Sequence, residues 1–153
     1  MDRLEKRIPP VLATLVCALL MALLAYLLPP VEIAWAWRLG AALVLSALGA
    51  GVCLAGVASF RRARTTVNPL VPEQASSLVQ AGIYRHTRNP MYLGFAILLV
   101  AWAALLGAPL ALFVVTGFVL YVDRFQIAPE ERALAGLFGA DYTRYRERVR
   151  RWL

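Results

Sequence analysis

The residues best suited to chemistry lie in one short stretch, from Gly82 to Gly94, which reads Gly-Ile-Tyr-Arg-His-Thr-Arg-Asn-Pro-Met-Tyr-Leu-Gly. Asn89 followed by Pro90 predicts the start of a helix, with asparagine at the N-cap and proline at the first helical position. The free N–H groups and positive dipole at such a helix end favour a bound anion, for example a carboxylate. Two arginines and the single histidine of the chain add positive charge beside it.

A second cluster consists of two adjacent acids, Glu130 and Glu131. Acids in the first turn of a helix are ordinarily explained by the helix dipole. These two are also placed to meet the first cluster at one membrane interface, where a ligand with both a carboxylate and an ammonium group would complement the pair. The residues alone leave another interpretation open, in which Arg85 and Arg88 contact lipid phosphates and Tyr92 is an interfacial aromatic.

The elements that position these clusters follow from the composition, which is 61% hydrophobic and 16% charged over 153 residues, unlike a soluble domain. Apolar runs at residues 11–28, 34–60, 91–106 and 110–122 predict four membrane helices, because about 20 residues cross the hydrocarbon. We therefore predict an all-α, polytopic membrane protein of one domain, residues 1–153. The tripeptide Gly107-Ala108-Pro109 predicts a tight hairpin turn between the third and fourth helices.

Positive charge predicts the orientation of these helices. Of the sixteen Lys and Arg residues, three precede the first run, one lies between the first two, five lie between residues 61 and 88, and seven follow Asp123. The positive-inside rule then places both termini, the loop 61–89 and the C-terminal segment 123–153 in the cytoplasm. The net charge of +7 is explained by topology and anionic lipid, and we expect no nucleic-acid partner.

Two further patterns concern packing. Small residues recur every fourth position in the second run and predict a close helix contact, internal or in an oligomer of unknown state; they are Ala47, Gly51, Ala55 and Ser59. In the C-terminal segment, Pro129 predicts the start of one helix and Gly139 its end. A second, amphipathic helix is predicted at the headgroup boundary, with one row of Tyr142, Tyr145, Val149 and Trp152 and another of Arg144, Arg148 and Arg151.

Metal chemistry and disulfides are not supported by the sequence. Cys17 and Cys53 lie inside apolar runs without a partner spacing, and His86 is the single histidine. We expect no metal site.

At this point residues 60–153 resemble a family of small integral membrane methyltransferases, related to isoprenylcysteine carboxyl methyltransferase and phospholipid N-methyltransferase. The motifs that carry the resemblance are Thr65-Thr66-Val67-Asn68-Pro69, Gly82-Ile83-Tyr84-Arg85, Arg88 to Gly94, Glu130-Glu131, Phe138 to Tyr145 and Val149-Arg150-Arg151-Trp152. The family motif often reads Arg-His-Pro-x-Tyr-x-Gly, and Asn89 replaces its histidine here. That departure suits the bacterial branch, so we expect a bacterial inner membrane as the location.

The resemblance implies an S-adenosylmethionine site that opens to the cytoplasm for the cofactor and to lipid for the substrate. The residues that it implies around the cofactor are Tyr84, Arg85, His86, Arg88, Asn89, Pro90, Tyr92 and Gly94, with Glu130 or Glu131 at its amino group. Arg88 and Glu131 are the expected catalytic residues, Arg88 orienting a carboxylate or phosphate and a glutamate accepting a proton from an amine.

The methyl acceptor stays open between an isoprenylcysteine-type carboxylate, a phospholipid amine and another lipid or isoprenoid. Two other classes of protein remain as alternatives. One is a non-catalytic membrane module that binds anionic lipid or a partner. The other is a reductase, because some membrane sterol reductases share this helix arrangement, although the chain has no GxGxxG motif.

Overall fold

The computed structural model describes residues 8–28, 31–63 and 77–153, and these residues contain helices and no β-strand. The five α-helices are α1 (Pro10–Leu27), α2 (Trp35–Arg62), α3 (Pro90–Leu106), α4 (Leu112–Val122) and α5 (Ala128–Arg148). Short 3₁₀ turns span Gly82–Arg85 and Pro109–Ala111. The Thr65–Pro69 motif, the charged residues before Ile8 and Pro29-Pro30 lie outside the described residues.

All four apolar runs form helices at nearly the predicted bounds. Three helical stretches are long and apolar enough to cross a membrane, namely Pro10–Leu27, Trp35–Arg62 and the continuous stretch Pro109–Arg148. The third apolar helix, α3, is shorter, with 17 residues. Large apolar side chains point outward, and Leu19, Trp37 and Phe113 are each more than 70% exposed. Such a surface suits hydrocarbon rather than water.

Helix α3 lies at the centre of the bundle, with α2 along one side and α1 and α4 against the rest of its surface. Met21, Leu99 and Phe118, one from each of α1, α3 and α4, are almost completely buried in a shared core. The indole N–H of Trp102 also donates to the carbonyl of Ala18 at 3.0 Å, joining α3 to α1. The core therefore fixes the start of α3 relative to the end of α4.

The contact between α2 and α3 depends on small residues, but not on the predicted set. Ala47 and Gly51 are exposed, whereas Ala42, Gly49 and Gly56 are buried. These three are seven residues apart, which is about two helical turns and keeps them on one face. Within the chain, the close contact is therefore made by another face of α2 than the predicted one, and a contact of the predicted face in an oligomer stays a prediction.

The hairpin turn between α3 and α4 is confirmed. Gly107 ends α3 in the left-handed conformation at φ 65°, which glycine adopts without steric cost. Arg38, in the first turn of α2, donates from Nε to the carbonyl of Leu105 at 3.1 Å. A cation at a helix C-terminus is favourable, so Arg38 holds the end of the bundle opposite the two charged clusters.

The sequence predicted that α4 stops before the C-terminal segment, but it does not. It continues through a π-helical turn, Asp123–Ile127, directly into α5. Proline at position 129 lacks an N–H and would clash with a carbonyl of the preceding α-helical turn, and the wider π-turn relieves that clash. The predicted break at Gly139 is confirmed, because φ is 47° and ψ is −118° there.

Candidate functional site

The site is built where the start of α3, the π-turn, the start of α5 and the chain's last residues meet. Residues 149–152, which we call the C-terminal strap, leave α5 in an extended conformation at Val149. The strap lies across the residues that precede α3. The backbone N–H of Arg88 donates to the carbonyl of Arg150 at 3.1 Å, and the side-chain amide of Asn89 donates to the carbonyl of Arg151 at 2.9 Å.

Asn89 occupies the N-cap position of α3, but its side chain does not cap the helix. The amide binds the strap instead, and Thr87 donates to the same Arg151 carbonyl at 3.3 Å. The predicted helix start is confirmed, because α3 begins at Pro90 with Asn89 at the N-cap position, but the Asn89 side chain makes no capping hydrogen bond. Asn89 holds the strap against the start of α3. The side chains of Asn89 and Thr87 both donate to the Arg151 carbonyl and not to an anion.

Four charged side chains form a connected charge network of Arg88, Glu131, Arg151 and Asp123. Glu131 accepts from Arg88 at 2.8 Å and from two nitrogens of Arg151, at 2.5 Å and 3.2 Å. Arg151 also pairs with Asp123 at 2.8 Å, and the indole N–H of Trp152 donates to the other oxygen of Asp123 at 3.3 Å. Hydrogen bonding to Glu131 raises the pKa of Arg151, so its guanidinium stays charged.

Arg88 is the member of the network that has an unsatisfied hydrogen-bond donor. Its side chain is only 9% exposed, with Nη2 on Glu131 and Nη1 donating to the carbonyl of Arg146 at 3.3 Å. Its Nε is buried and has no hydrogen-bond partner among the described residues. Because an unsatisfied buried donor is costly, a further acceptor at this atom would be favourable.

A second acidic group, Glu130, is paired with a buried tyrosine of α3. The hydroxyl of Tyr92, which is 4% exposed, donates to Glu130 at 2.5 Å. Tyr84 lies near this pair, and burial, followed by Tyr145 and the charge of Glu130, raises the pKa of its phenol above the ordinary value. Tyr145 donates to the carbonyl of Tyr84 at 2.8 Å, so α5 holds the Gly82–Arg85 turn in place.

The structure brings together six of the predicted site residues: Tyr84, Arg88, Asn89, Tyr92, Glu130 and Glu131. Two others, Arg85 and His86, are exposed. Pro90 and Gly94 face α2, where a Cβ on Gly94 would lie 2.3 Å from Sγ of Cys53. Their presence is explained by helix packing, and the structure does not show them facing the charge network.

Asp123, Arg151 and Trp152 belong to the site and were missed from the sequence. Arg151 and Trp152 were assigned to an amphipathic helix at the headgroups, but α5 ends at Arg148. Tyr142 and Tyr145, of the same predicted row, are 2% and 3% exposed and pack against other protein side chains. The available signal was Asp123 itself, an acid directly after an apolar run that needs a cationic partner.

Comparison with known proteins decides the family. A family model for phospholipid methyltransferases matches residues 37–141. The chain belongs to this family. No solved structure matches the chain significantly.

Three relatives place the phospholipid methyltransferase family match in context. Protein-S-isoprenylcysteine O-methyltransferase A from Arabidopsis thaliana is 31% identical over 140 residues, which cover 86% of this chain and 69% of the relative. Methanethiol S-methyltransferase 1 from Bradyrhizobium diazoefficiens is 37% identical over 67 residues, which cover 44% of this chain and 22% of the relative. An uncharacterised protein from Haemophilus influenzae is 48% identical over 63 residues, which cover 41% of this chain and all of the relative.

The resemblance inferred from the motifs is thus confirmed. The two relatives of known activity are methyltransferases with different acceptors, to judge by their names. Together with the apolar helices, the family makes this chain a methyltransferase-type integral membrane protein.

Proposed function

We propose that this protein transfers a methyl group from S-adenosylmethionine to an amphiphilic acceptor held in the bilayer, at its cytoplasmic face. The family supports methyl transfer to a membrane-associated substrate. The observation that carries the cofactor assignment is the buried, unpartnered Nε of Arg88, which lies in the same site as the acid Glu130.

The residues present fit this cofactor. Its amino-acid end carries a carboxylate, which Arg88 Nε would bind, and an ammonium group, which Glu130 would bind. Glu131 is the weaker candidate for the ammonium, because its oxygens already accept hydrogen bonds from two arginines. We therefore assign Glu131 to orienting Arg88. The bound cofactor supplies an electrophilic methyl group on a sulfonium, a cation compatible with the nearby tyrosine ring faces.

The chain's own contribution is to position the acceptor against the methyl group and to exclude water. Methyl transfer from a sulfonium needs the nucleophile in line with the methyl carbon and no covalent enzyme intermediate, so orientation and shielding supply most of the acceleration. The strap covers the residues before α3 and keeps Arg88 buried. A carboxylate or thiolate acceptor needs no base, whereas an amine acceptor needs one to take its proton.

We further propose four spans, with α3 as the short one and both termini in the cytoplasm. In support, the charge network lies at the start of α3 and the end of α4, whereas Arg38 and the Gly107 turn lie at their other ends. The acceptor class remains the one from the sequence: an isoprenylcysteine-type carboxylate, a phospholipid amine, or another lipid or isoprenoid. The name of one relative makes an isoprenylcysteine carboxylate worth testing first.

The test is transfer of a labelled methyl group from S-adenosylmethionine in lipid nanodiscs. Three acceptors would be offered separately: an isoprenylcysteine analogue, phosphatidylethanolamine and an extract of bacterial membrane lipids. We expect label in one lipid fraction, lost in Arg88→Gln and Glu130→Gln and kept in Arg144→Gln, which changes an exposed arginine. Folded wild-type protein that labels none of the three would contradict the proposal and favour a non-catalytic lipid-binding module.

A further inference from the structure

We propose that Asp123 is a positioning residue for the ligand site, acting on Arg88 through Arg151 and Glu131. This inference rests on the proposed function, since it assigns a remote residue to the site that would bind the cofactor. Asp123 and Arg151 are not among the predicted site residues, and within the charge network Asp123 pairs with Arg151 rather than with Arg88.

The first step in the argument is that Asp123 fixes Arg151 and the strap. The two carboxylate oxygens have separate partners, Oδ2 binding Arg151 Nη1 at 2.8 Å and Oδ1 accepting from Trp152 at 3.3 Å. Asp123 is the first residue of the π-turn, and such turns occur frequently at functional sites. The acid therefore connects the end of α4 to the last residues of the chain.

The second step is that Arg151 fixes Glu131. Arg151 uses Nε and Nη2 on the two oxygens of Glu131 and leaves Nη1 for Asp123. A planar guanidinium that binds two carboxylates in this way has its plane determined by both. Loss of Asp123 would free one side of Arg151, and Glu131 would lose its fixed partner.

The third step is that Glu131 fixes Arg88. Nη2 of Arg88 binds Glu131 and Nη1 binds the Arg146 carbonyl, which leaves the direction of Nε with no freedom. Nε is the atom that remains buried and unpartnered among the described residues. Each link from Asp123 to this atom is a charge-assisted contact of 2.8 Å or less, so a change at Asp123 would reach the ligand-binding nitrogen.

The matched control is Asp141, an acid in the same C-terminal region that pairs with Arg144. Both members of this pair are about two-thirds exposed, whereas Asp123 and Arg151 are each 34% exposed and Arg88 and Glu131 are 9% and 12% exposed. An exposed pair contributes little to stability or positioning. Asp123→Asn and Asp141→Asn thus remove the same charge with different expected consequences.

The first readout needs no ligand. In ¹⁵N-arginine-labelled protein in nanodiscs, the Nε resonance of Arg88 would be assigned by its loss in Arg88→Lys. We expect Asp123→Asn to shift this resonance and speed its hydrogen exchange, while Asp141→Asn leaves both unchanged. An Arg88 signal identical in wild type and Asp123→Asn would overturn the inference, whether or not the proposed function holds.

The second readout is calorimetric titration with S-adenosylhomocysteine. Asp123→Asn should weaken binding about tenfold, and less than about twofold further in an Arg88→Lys background, because both changes act on one link. Effects that multiply in the double variant would overturn the inference. Absence of binding in folded wild type would instead refute the proposed function and leave the resonance test to decide.

Arg151→Lys provides a second variant if Asp123→Asn is poorly folded by its thermal midpoint. Lysine keeps the charge but cannot bridge Glu131 and Asp123 with a planar fork. Arg151→Lys should therefore shift the Arg88 resonance and weaken S-adenosylhomocysteine binding, as Asp123→Asn does. An unchanged Arg88 resonance with wild-type affinity would contradict the inference.

Discussion

Each nitrogen of the Arg88 guanidinium has a different environment: a carboxylate, a backbone carbonyl, and, at Nε, no partner among the described residues. A lysine has one charged nitrogen and could not satisfy the first two while presenting the third. The sequence predicted Arg88 as a site residue from its position before α3. It could not show which of its nitrogens would be available, because that depends on Glu131 and Arg146, more than 40 residues away.

At the same scale, Gly94 allows α2 and α3 to approach. In Gly94→Ala the new Cβ would lie 2.3 Å from Sγ of Cys53 and 2.7 Å from the carbonyl of Gly49. We expect a loss of about 1–3 kcal/mol in stability from overpacking, measured as a lower thermal midpoint in detergent. The control is Gly51→Ala, where nothing lies within 4 Å. Equal midpoints for the two variants would show that the helices do not approach as described.

Ionisation of Tyr84 makes the stability of the folded protein depend on pH. Burial raises its pKa in the folded state, so the folded protein holds the phenol proton more tightly than the unfolded chain. The stability from this group is therefore present below about pH 10 and is lost as the pH rises above that value. We expect the thermal midpoint of Tyr84→Phe to fall less steeply than that of wild type above pH 10. Parallel curves would contradict the burial of this phenol.

At the scale of elements, the strap and the π-turn are the parts that complete the site. The apolar runs predicted the bounds of α1, α2 and α3 and the start of α4 to within two residues. They could not predict which face of α2 packs, since a helix that is apolar all round carries no periodic signal. The strap was also beyond prediction, because its partners Thr87 and Asn89 are more than 60 residues away in sequence.

The strap leads to a prediction about proteolysis. Asn89→Ala removes the amide that donates to the Arg151 carbonyl, a bond that contributes roughly 1 kcal/mol. We expect trypsin to cleave after Arg150 and Arg151 about five times faster than in wild type, because local opening precedes cleavage. Gln80→Ala is the control, since it removes an exposed hydrogen bond to Arg148. Mass spectrometry of the C-terminal fragments gives both rates, and equal rates in the two variants would argue against a docked strap.

At the scale of the whole molecule, the number of spans determines on which side the site lies. Three helical stretches have spanning length, whereas the charge pattern predicts four spans with the ends on one side. Single cysteines at Ala81 and Leu110, exposed positions on either side of α3, would be labelled with an impermeant maleimide in a Cys17→Ala, Cys53→Ala background. Four spans predict labelling of these positions from opposite sides. Labelling of both from one side would refute the proposed topology.

The central claim is that Arg88 binds the carboxylate end of the cofactor. Its most direct test is calorimetric titration of S-adenosylhomocysteine into the protein in lipid nanodiscs, at two temperatures so that a small binding enthalpy is not missed. We predict saturable binding by wild type and by Arg144→Gln, and binding at least about tenfold weaker in Arg88→Gln. Folded wild-type protein that does not bind, or Arg88→Gln that binds as wild type does, would contradict it.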